Sequence, residues 1–121
     1  MEKKPNQIVD FLADIENIAE SYVLVREVRL FLEVGHDFWN PEIRIKIWLG
    51  DSPSDEPYFY TLSHNVHTPT QAGPYRPSRT CAATEEEALR DAISATRSFL
   101  VGAIQQGHEP QDSWMIPNSD Y

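Results

Sequence analysis

The sequence contains one cysteine, Cys81, and only ten lysine and arginine residues against 19 acidic residues. A single thiol excludes an internal disulfide and a cysteine-based zinc site, so we expect a cytoplasmic protein rather than a secreted disulfide scaffold. The net charge of -9 argues against a domain that binds duplex nucleic acid through a broad basic face. Long apolar runs are also missing, because Asp10, Asp14 and Glu16 interrupt the N-terminal segment, which predicts neither a signal peptide nor a membrane span.

The residues that are present indicate a globular protein. Of the 121 residues, 40% are hydrophobic and 11% are aromatic, which is enough to fill one core and more than disordered chains contain. The length predicts a single domain over 1–121.

Hydrophobic periodicity predicts the order of the elements. Spacings of three and four predict an amphipathic helix over 6–24 with an acidic outer face, and a second helix that begins after Thr84 and ends near Gly107. At the second helix, Thr84 and Glu87 have the spacing of a capping box. Alternation of apolar and polar residues predicts three strands, over 25–34, 42–49 and 58–66.

Three prolines between 67 and 83 predict an extended loop or an edge strand there, and the aromatic tail around Trp114 is expected to pack on the same chain or on a neighbouring subunit. The predicted fold is therefore α+β, an antiparallel sheet of three to four strands with an N-terminal and a C-terminal helix packed on it.

The segment 58–83 contains no aspartate or glutamate, although the chain is acidic elsewhere. It holds residues of the types that bind a base, a ribose and a phosphate in a small pocket, and the candidate ligand-binding residues are His64, Asn65, Tyr75, Arg76 and Arg79. The alternative is a proline-rich surface loop whose arginines pair with the acidic cluster at 85–87.

Two further pairs have a structural and a functional interpretation. Phe38 and Trp39, between the first two predicted strands, either cap the core or stack on a ligand or a partner subunit. Arg90 and Arg97 share one face of the second helix, which is either a solvated face, a second anion site or an oligomer face.

Metal and nucleophile chemistry have little support in the sequence. His64 and His67 have no third ligand nearby, so no metal or cofactor is predicted. Cys81 is expected to be a buried structural thiol. Without a phosphate-binding glycine loop or a nucleophile motif, the sequence predicts a protein that is not an enzyme.

Several short motifs carry a resemblance to a known family. They are 35–41 (Gly-His-Asp-Phe-Trp-Asn-Pro), 63–65 (Ser-His-Asn), 73–75 (Gly-Pro-Tyr) and 84–88 (Thr-Glu-Glu-Glu-Ala). Over roughly 22–121 the chain resembles the small phage proteins that counter the Thoeris defence system, in particular the first family of sponges that sequester cyclic ADP-ribose isomers.

This resemblance implies a non-enzymatic protein that encloses a cyclic nucleotide signal in the host cytoplasm and keeps a downstream effector silent. It also implies a homo-oligomer, a dimer or a hexamer, with pockets between subunits, and uptake of cyclic oligonucleotides by some members. In such a pocket Arg76 and Arg79 would contact the pyrophosphate, and His64 and Asn65 would bond to base or ribose edges. One of three aromatic rings would stack on adenine, that of Tyr75, Phe38 or Trp39.

A different class of function stays open beside the sponge. An acidic inhibitor or accessory subunit would mask the basic surface of a partner protein. It would use the acidic residues of the first predicted helix, Asp10, Asp14, Glu16 and Glu20.

Overall fold

The computed structural model describes residues 4–51 and 53–121 and confirms the α+β class. Its elements, in chain order, are α1 (Pro5–Ala13), β1 (Tyr22–Phe31), β2 (Glu42–Gly50), β3 (Tyr58–Leu62), β4 (His64–Val66), β5 (Cys81–Ala82), α2 (Glu85–Gln105), a short 3-10 helix (Asp112–Trp114) and β6 (Met115–Pro117). Strands β1, β2, β3 and β5 form one antiparallel sheet in that order, and β4 and β6 form a second, two-stranded sheet. Among the described helices, none is both long and apolar enough to cross a membrane.

The centre of the core is the apolar side of β2. Ile43, Ile45 and Ile47 are fully buried, whereas Arg44 between them is exposed. This is the alternation that the sequence predicts, because successive side chains of a strand point to opposite faces of the sheet. The opposite face of the core is α2, whose buried residues are mostly small: Ala88, Ala92, Thr96, Leu100 and Ala103. Small side chains let the helix axis approach the sheet closely.

The first helix is much shorter than the predicted span 6–24, since α1 ends at Ala13. Asn17 has a left-handed φ of 74°, which breaks helical geometry. Ser21 is then held in an extended conformation, because its N–H donates to a carboxylate oxygen of Asp51 at 3.0 Å and its carbonyl accepts from the Asp51 N–H at 3.2 Å. Of the four acids expected on one helix face, only Asp10 lies within α1, so that acidic face does not form.

The third predicted strand, 58–66, is divided at Ser63. The Ser63 hydroxyl accepts from the N–H of Arg44 at 2.8 Å and also bonds to the ring of His64 at 2.7 Å. A side chain thus takes the place of a backbone partner, and the next three residues leave the main sheet to pair with β6. The aromatic tail therefore packs on its own chain, with Trp114 only 4% exposed.

The second helix begins as predicted. Thr84 precedes it, and its hydroxyl accepts from the N–H of Glu87 at 3.1 Å. This bond satisfies one of the N–H groups that lack a partner at a helix start. At the other end Gly107 adopts a φ of 91°, the left-handed conformation that follows many helices.

The expectation that Cys81 is buried is wrong. Cys81 and Ala82 form the short edge strand β5, in which Ala82 faces the core and is fully buried. Because alternate residues face opposite ways, the Cys81 side chain is exposed.

Candidate functional site

Two adjacent depressions meet at Tyr60 on β3, and together we call them the Tyr60 cleft. The larger has a volume of about 460 Å³ and the smaller of about 200 Å³. The larger is lined by Glu56, Tyr60, Tyr75, Arg79, Cys81, Glu87, Asp91, Ser94, Ala95 and Ser98. The smaller is lined by Tyr60, Thr61, Leu62, Asn65, Arg76, Pro77, Thr80, Asn118 and Asp120.

The phenol of Tyr60 is the unusual group of this cleft. The residue is only 3% exposed, yet within the described chain its hydroxyl has no hydrogen-bond partner. No side-chain nitrogen or oxygen of the described residues is both sealed from solvent and unpartnered, so the Tyr60 oxygen must reach the cleft. Burial raises the pKa of this phenol to about 12, with smaller contributions from Tyr75 and Asp91. The group is therefore a neutral O–H donor at physiological pH.

Two arginines that were predicted to bind the ligand border the cleft, and only one of them, Arg79, is paired with a carboxylate of the described chain. Arg79 forms an ion pair with Glu56, rather than with the acidic cluster at 85–87, and the hydrogen bond to Glu56 raises the pKa of the Arg79 guanidinium. Its side chain is 72% exposed, and exposed pairs of this kind contribute little to stability. Arg76 is exposed and forms no ion pair or hydrogen bond with any described residue. Both guanidinium groups are thus accessible to an anion.

The loop that carries Tyr75 and Arg76 is anchored to β4. Asn65 is buried, and its side-chain amide donates to the carbonyl of Tyr75 at 3.1 Å. In return, the N–H of Tyr75 donates to the carbonyl of Val66 at 2.8 Å. The ring of Tyr75 contacts Phe99 of α2, with the ring centres 4.5 Å apart. These contacts fix the loop against both a strand and a helix, so one wall of the cleft is preformed.

The opposite wall is a polar stripe on α2 that is not among the residues predicted from the sequence. Asp91, Ser94 and Ser98 follow each other at spacings of three and four and all line the larger depression. That spacing places residues on one helix face, so the stripe was detectable in the sequence. Tyr60 itself lies in the acid-free segment, but nothing in its neighbourhood distinguishes it from Tyr58 before the strand register is known.

Three of the predicted ligand-binding residues line neither depression. His64 bonds to Ser63, and burial, followed by the nearby Arg44, lowers the pKa of its imidazole. Trp39 donates its indole N–H to Asp112 at 2.9 Å and packs edge-on against Trp114 with the ring centres 5.7 Å apart. Trp39 therefore caps the core, while Phe38 next to it is 91% exposed.

The second predicted arginine pair lies on a different surface. Arg90 and Arg97 border a shallow depression of about 540 Å³, which we call the α2 furrow. All its lining residues belong to α2, namely Glu86, Leu89, Arg90, Ile93, Ser94, Arg97 and Ser98. Arg97 donates to the carbonyl of Glu33 at 2.7 Å, whereas Arg90 has no polar partner within the described residues.

Within 4–51 and 53–121, no group of three or more histidine, cysteine or acidic residues is arranged to hold a metal ion. Comparisons with protein-family models, with curated proteins and with solved structures give no match to this chain.

Proposed function

We propose that this protein is a non-enzymatic sponge that binds a small cyclic nucleotide in the Tyr60 cleft and withholds it from a downstream effector. The ligand is a cyclic ADP-ribose isomer in the first instance, and a cyclic oligonucleotide in the second. The motif resemblance supports the further proposal that it is a phage anti-defence protein that acts in the host cytoplasm as a homo-oligomer.

The observation that carries the proposal is the unpartnered phenol of Tyr60. Tyr60 lines both depressions, and its hydroxyl has no protein partner in the described chain. The oxygen is not sealed from solvent, so in the free protein this O–H can donate to water. A ligand oxygen that accepts the O–H would take the place of that water.

The charges around Tyr60 favour a ligand that combines phosphates with hydroxyl groups. Arg76 and Arg79 provide planar forks that pair with phosphate oxygens. Asp91, Ser94 and Ser98 on the other wall accept hydrogen bonds, and the hydroxyls of a ribose donate them. Four carboxylates line the cleft, those of Glu56, Glu87, Asp91 and Asp120. A simple polyanion would be repelled by them, whereas a nucleotide also presents hydroxyl groups that can donate to them.

The aromatic role falls to Tyr75. Its ring borders the larger depression and packs at a tilt against the ring of Phe99, with the ring centres 4.5 Å apart. A nucleobase can stack on an aromatic ring in such a position. The proposed site does not include three residues that were predicted to bind the ligand, because they line neither depression: Phe38, Trp39 and His64.

A cleft with a preformed wall favours the retention of a bound ligand. Sequestration needs high affinity and slow release rather than complementarity to a transition state. The wall that carries Tyr75 is bonded to β4 and packed on α2, so little conformational freedom is lost when a ligand binds.

Calorimetry with cyclic ADP-ribose isomers tests the proposal. We expect saturable binding and a raised melting temperature, and mass spectrometry of the released ligand should return it unchanged. The double variant Arg76→Ala/Arg79→Ala should lose about 100-fold in affinity and keep its melting temperature. Arg29→Ala removes another exposed arginine, which pairs with Glu42, and serves as the matched control that binds normally.

Three outcomes would overturn the proposal. The first is no binding at ligand concentrations far above any useful dissociation constant. The second is a chemically altered ligand, which would make the protein an enzyme. The third is a double variant that unfolds, because Arg76 and Arg79 would then be structural residues.

A further inference from the structure

A mostly apolar cavity of about 580 Å³ lies at the outer face of the main sheet. Tyr22, Gly50, Glu56, Phe59 and Cys81 are among its lining residues, and we call it the Tyr22 cavity. Its volume is typical of a site for a small molecule. The proposed nucleotide site uses neither of its two aromatic rings.

The aromatic walls of the Tyr22 cavity depend on a glycine. Gly50 is the partner of Tyr22 in the pairing of β1 with β2, and a Cβ atom at Gly50 would lie 3.2 Å from Cε1 of the Tyr22 ring. The ring therefore lies over a position of β2 that has no side chain, and it contacts Phe59 of β3. The two rings are edge to face, at an angle of 85° and with their centres 5.4 Å apart.

This ring geometry produces a corner in which the faces of two rings meet at a right angle. The face of an aromatic ring is the negative end of its quadrupole, and the edge is the positive end. Tyr22 is also 51% exposed, which is unusual for an aromatic residue in a strand. A group that enters the corner therefore meets accessible π-electron density.

The charged groups around the corner are mainly carboxylates. The Tyr22 hydroxyl donates to Glu20 at 2.6 Å, and this bond raises the pKa of the phenol, with smaller contributions from burial and from the charge of Asp51. Glu56 adds a third carboxylate on the wall of the cavity. In the part of the chain that the structure describes, only Glu56 of the three has a basic partner, the exposed guanidinium of Arg79.

We propose that the Tyr22 cavity binds a small organic cation that carries alkyl groups on its nitrogen, of the quaternary ammonium class. Such a cation is attracted to the face of an aromatic ring when it lies within about 6 Å of the ring centre. It has no N–H group, so it needs no hydrogen-bond acceptor on the apolar walls. The carboxylates around the corner would balance its charge through space.

Other ligands fit this combination of groups less well. An anion would be repelled by Glu20, Asp51 and Glu56. A neutral apolar molecule would cover the rings but would gain nothing from the carboxylates. A primary ammonium ion is strongly hydrated, so it would pair with any exposed carboxylate of this acidic protein and would not require the rings.

Glu56 connects the cation site with the Tyr60 cleft, a step that rests on the proposed function. It lines both cavities and is paired with Arg79, which borders the cleft. A phosphate that binds Arg79 would compete with Glu56 for the guanidinium and leave this carboxylate free to attract the cation. The nucleotide and the cation should therefore raise each other's affinity by the same factor.

A titration with choline, a trimethylammonium ion, tests the site in the full chain without any nucleotide. Amide NMR spectra report the position and the affinity of binding. We expect shifts at Tyr22, Gly50 and Phe59 and a dissociation constant of about 1 mM. The neutral alcohol dimethylbutanol has a carbon atom in place of the choline nitrogen, and it should bind at least about fivefold more weakly.

A loss of one ring should weaken the site. Tyr22→Leu should reduce the affinity for choline about fivefold or more, since one face of the corner is removed. Phe31→Leu is the matched control, because it removes a 61% exposed ring at the other end of β1 and should leave choline binding unchanged. Thermal unfolding verifies that both variants are folded.

Changes of charge test the carboxylate. Glu56→Gln should weaken choline binding about threefold and leave the binding of dimethylbutanol unchanged. Glu109→Gln makes the same change on an 89% exposed side chain outside the cavity and should have no effect. Arg79→Ala should strengthen choline binding, because Glu56 then loses its guanidinium partner.

Three results would overturn the proposal. They are equal affinity for choline and dimethylbutanol, unchanged choline affinity in Tyr22→Leu, and choline shifts that lie only outside the Tyr22 cavity. Because these titrations contain no nucleotide, their failure would leave the sponge proposal untouched. In the same way, a negative result in the calorimetry with cyclic ADP-ribose isomers would not affect the choline site.

Discussion

The side-chain amide of Asn65 donates a hydrogen bond to the backbone carbonyl of Tyr75 at 3.1 Å, across ten residues of chain. Two residues that were predicted from the sequence to contact a ligand are therefore bonded to each other. Asn65 acts on the Tyr60 cleft by positioning the loop that carries Tyr75 and Arg76.

Asn65→Ala should destabilise the protein and weaken ligand binding together. Asn65 is only 7% exposed, and loss of a buried amide partner costs about 1–2 kcal/mol. Urea denaturation gives the change in the free energy of unfolding, and calorimetry gives the change in affinity. Arg76→Ala is the matched comparison, because it should reduce affinity with unchanged stability. Normal affinity in Asn65→Ala would show that the loop keeps its position without this bond.

Tyr60→Phe should change how stability depends on pH. The Tyr60 pKa is about 12 in the folded protein against about 10 in an unfolded chain. Because the folded state retains the proton longer, its stabilising effect is complete below pH 10 and is lost as the pH rises from 10 toward 12.

Between pH 8 and pH 11 the free energy of unfolding should thus fall by about 1 kcal/mol more in the natural protein than in Tyr60→Phe. Denaturation curves at the two pH values measure the difference, and titration of the other tyrosines is common to both proteins. Equal losses would mean that the Tyr60 phenol titrates in the folded protein as it does in water. The same variant should also bind ligand more weakly at pH 7, where it lacks the O–H donor.

Substitutions of Trp39 and of Phe38 should show that Trp39 contributes to stability and that Phe38 does not. Trp39→Phe loses the hydrogen bond to Asp112 and should cost about 1 kcal/mol of stability. Phe38→Ser changes a side chain that is 91% exposed and should alter stability by less than about 0.5 kcal/mol. Chemical denaturation compares the two, and calorimetry should give unchanged affinity in both. Weaker binding by Phe38→Ser would return that ring to the ligand site.

The elements best predicted from the sequence are those whose local signals agree with their packing. The alternation of isoleucines in β2 matches a strand with one buried face, and the cap at Thr84 matches the start of α2. The predicted length of the first helix is wrong, because the apolar spacing in the sequence continues beyond the point where Asn17 takes a left-handed conformation. The bonds that hold Ser21 to Asp51 connect distant parts of the chain, and helical periodicity does not report them.

The acid-free segment contains Arg76, Arg79, Tyr75 and Asn65, which all border the Tyr60 cleft. It could not single out Tyr60, because the feature that distinguishes this residue is a hydroxyl left without a partner after folding. The sequence also does not show that His64 lies outside this cleft. Because the third predicted strand is divided at Ser63, His64 lies in the second sheet. That division depends on the hydrogen bond from Arg44 to Ser63, which exists only in the folded chain.

The pairing of β4 with β6 has a consequence for the order of folding. Asn65 lies opposite Ile116, so this pair forms only when two segments on either side of α2 meet. Closing so long a loop is costly in entropy, so we expect β4 and β6 to pair after β1, β2 and β3, which are joined by shorter connections. The bonds of Asn65 and Val66 to Tyr75 start from β4. The wall of the cleft that carries Tyr75 would then be completed late, when most of the main sheet is already in place.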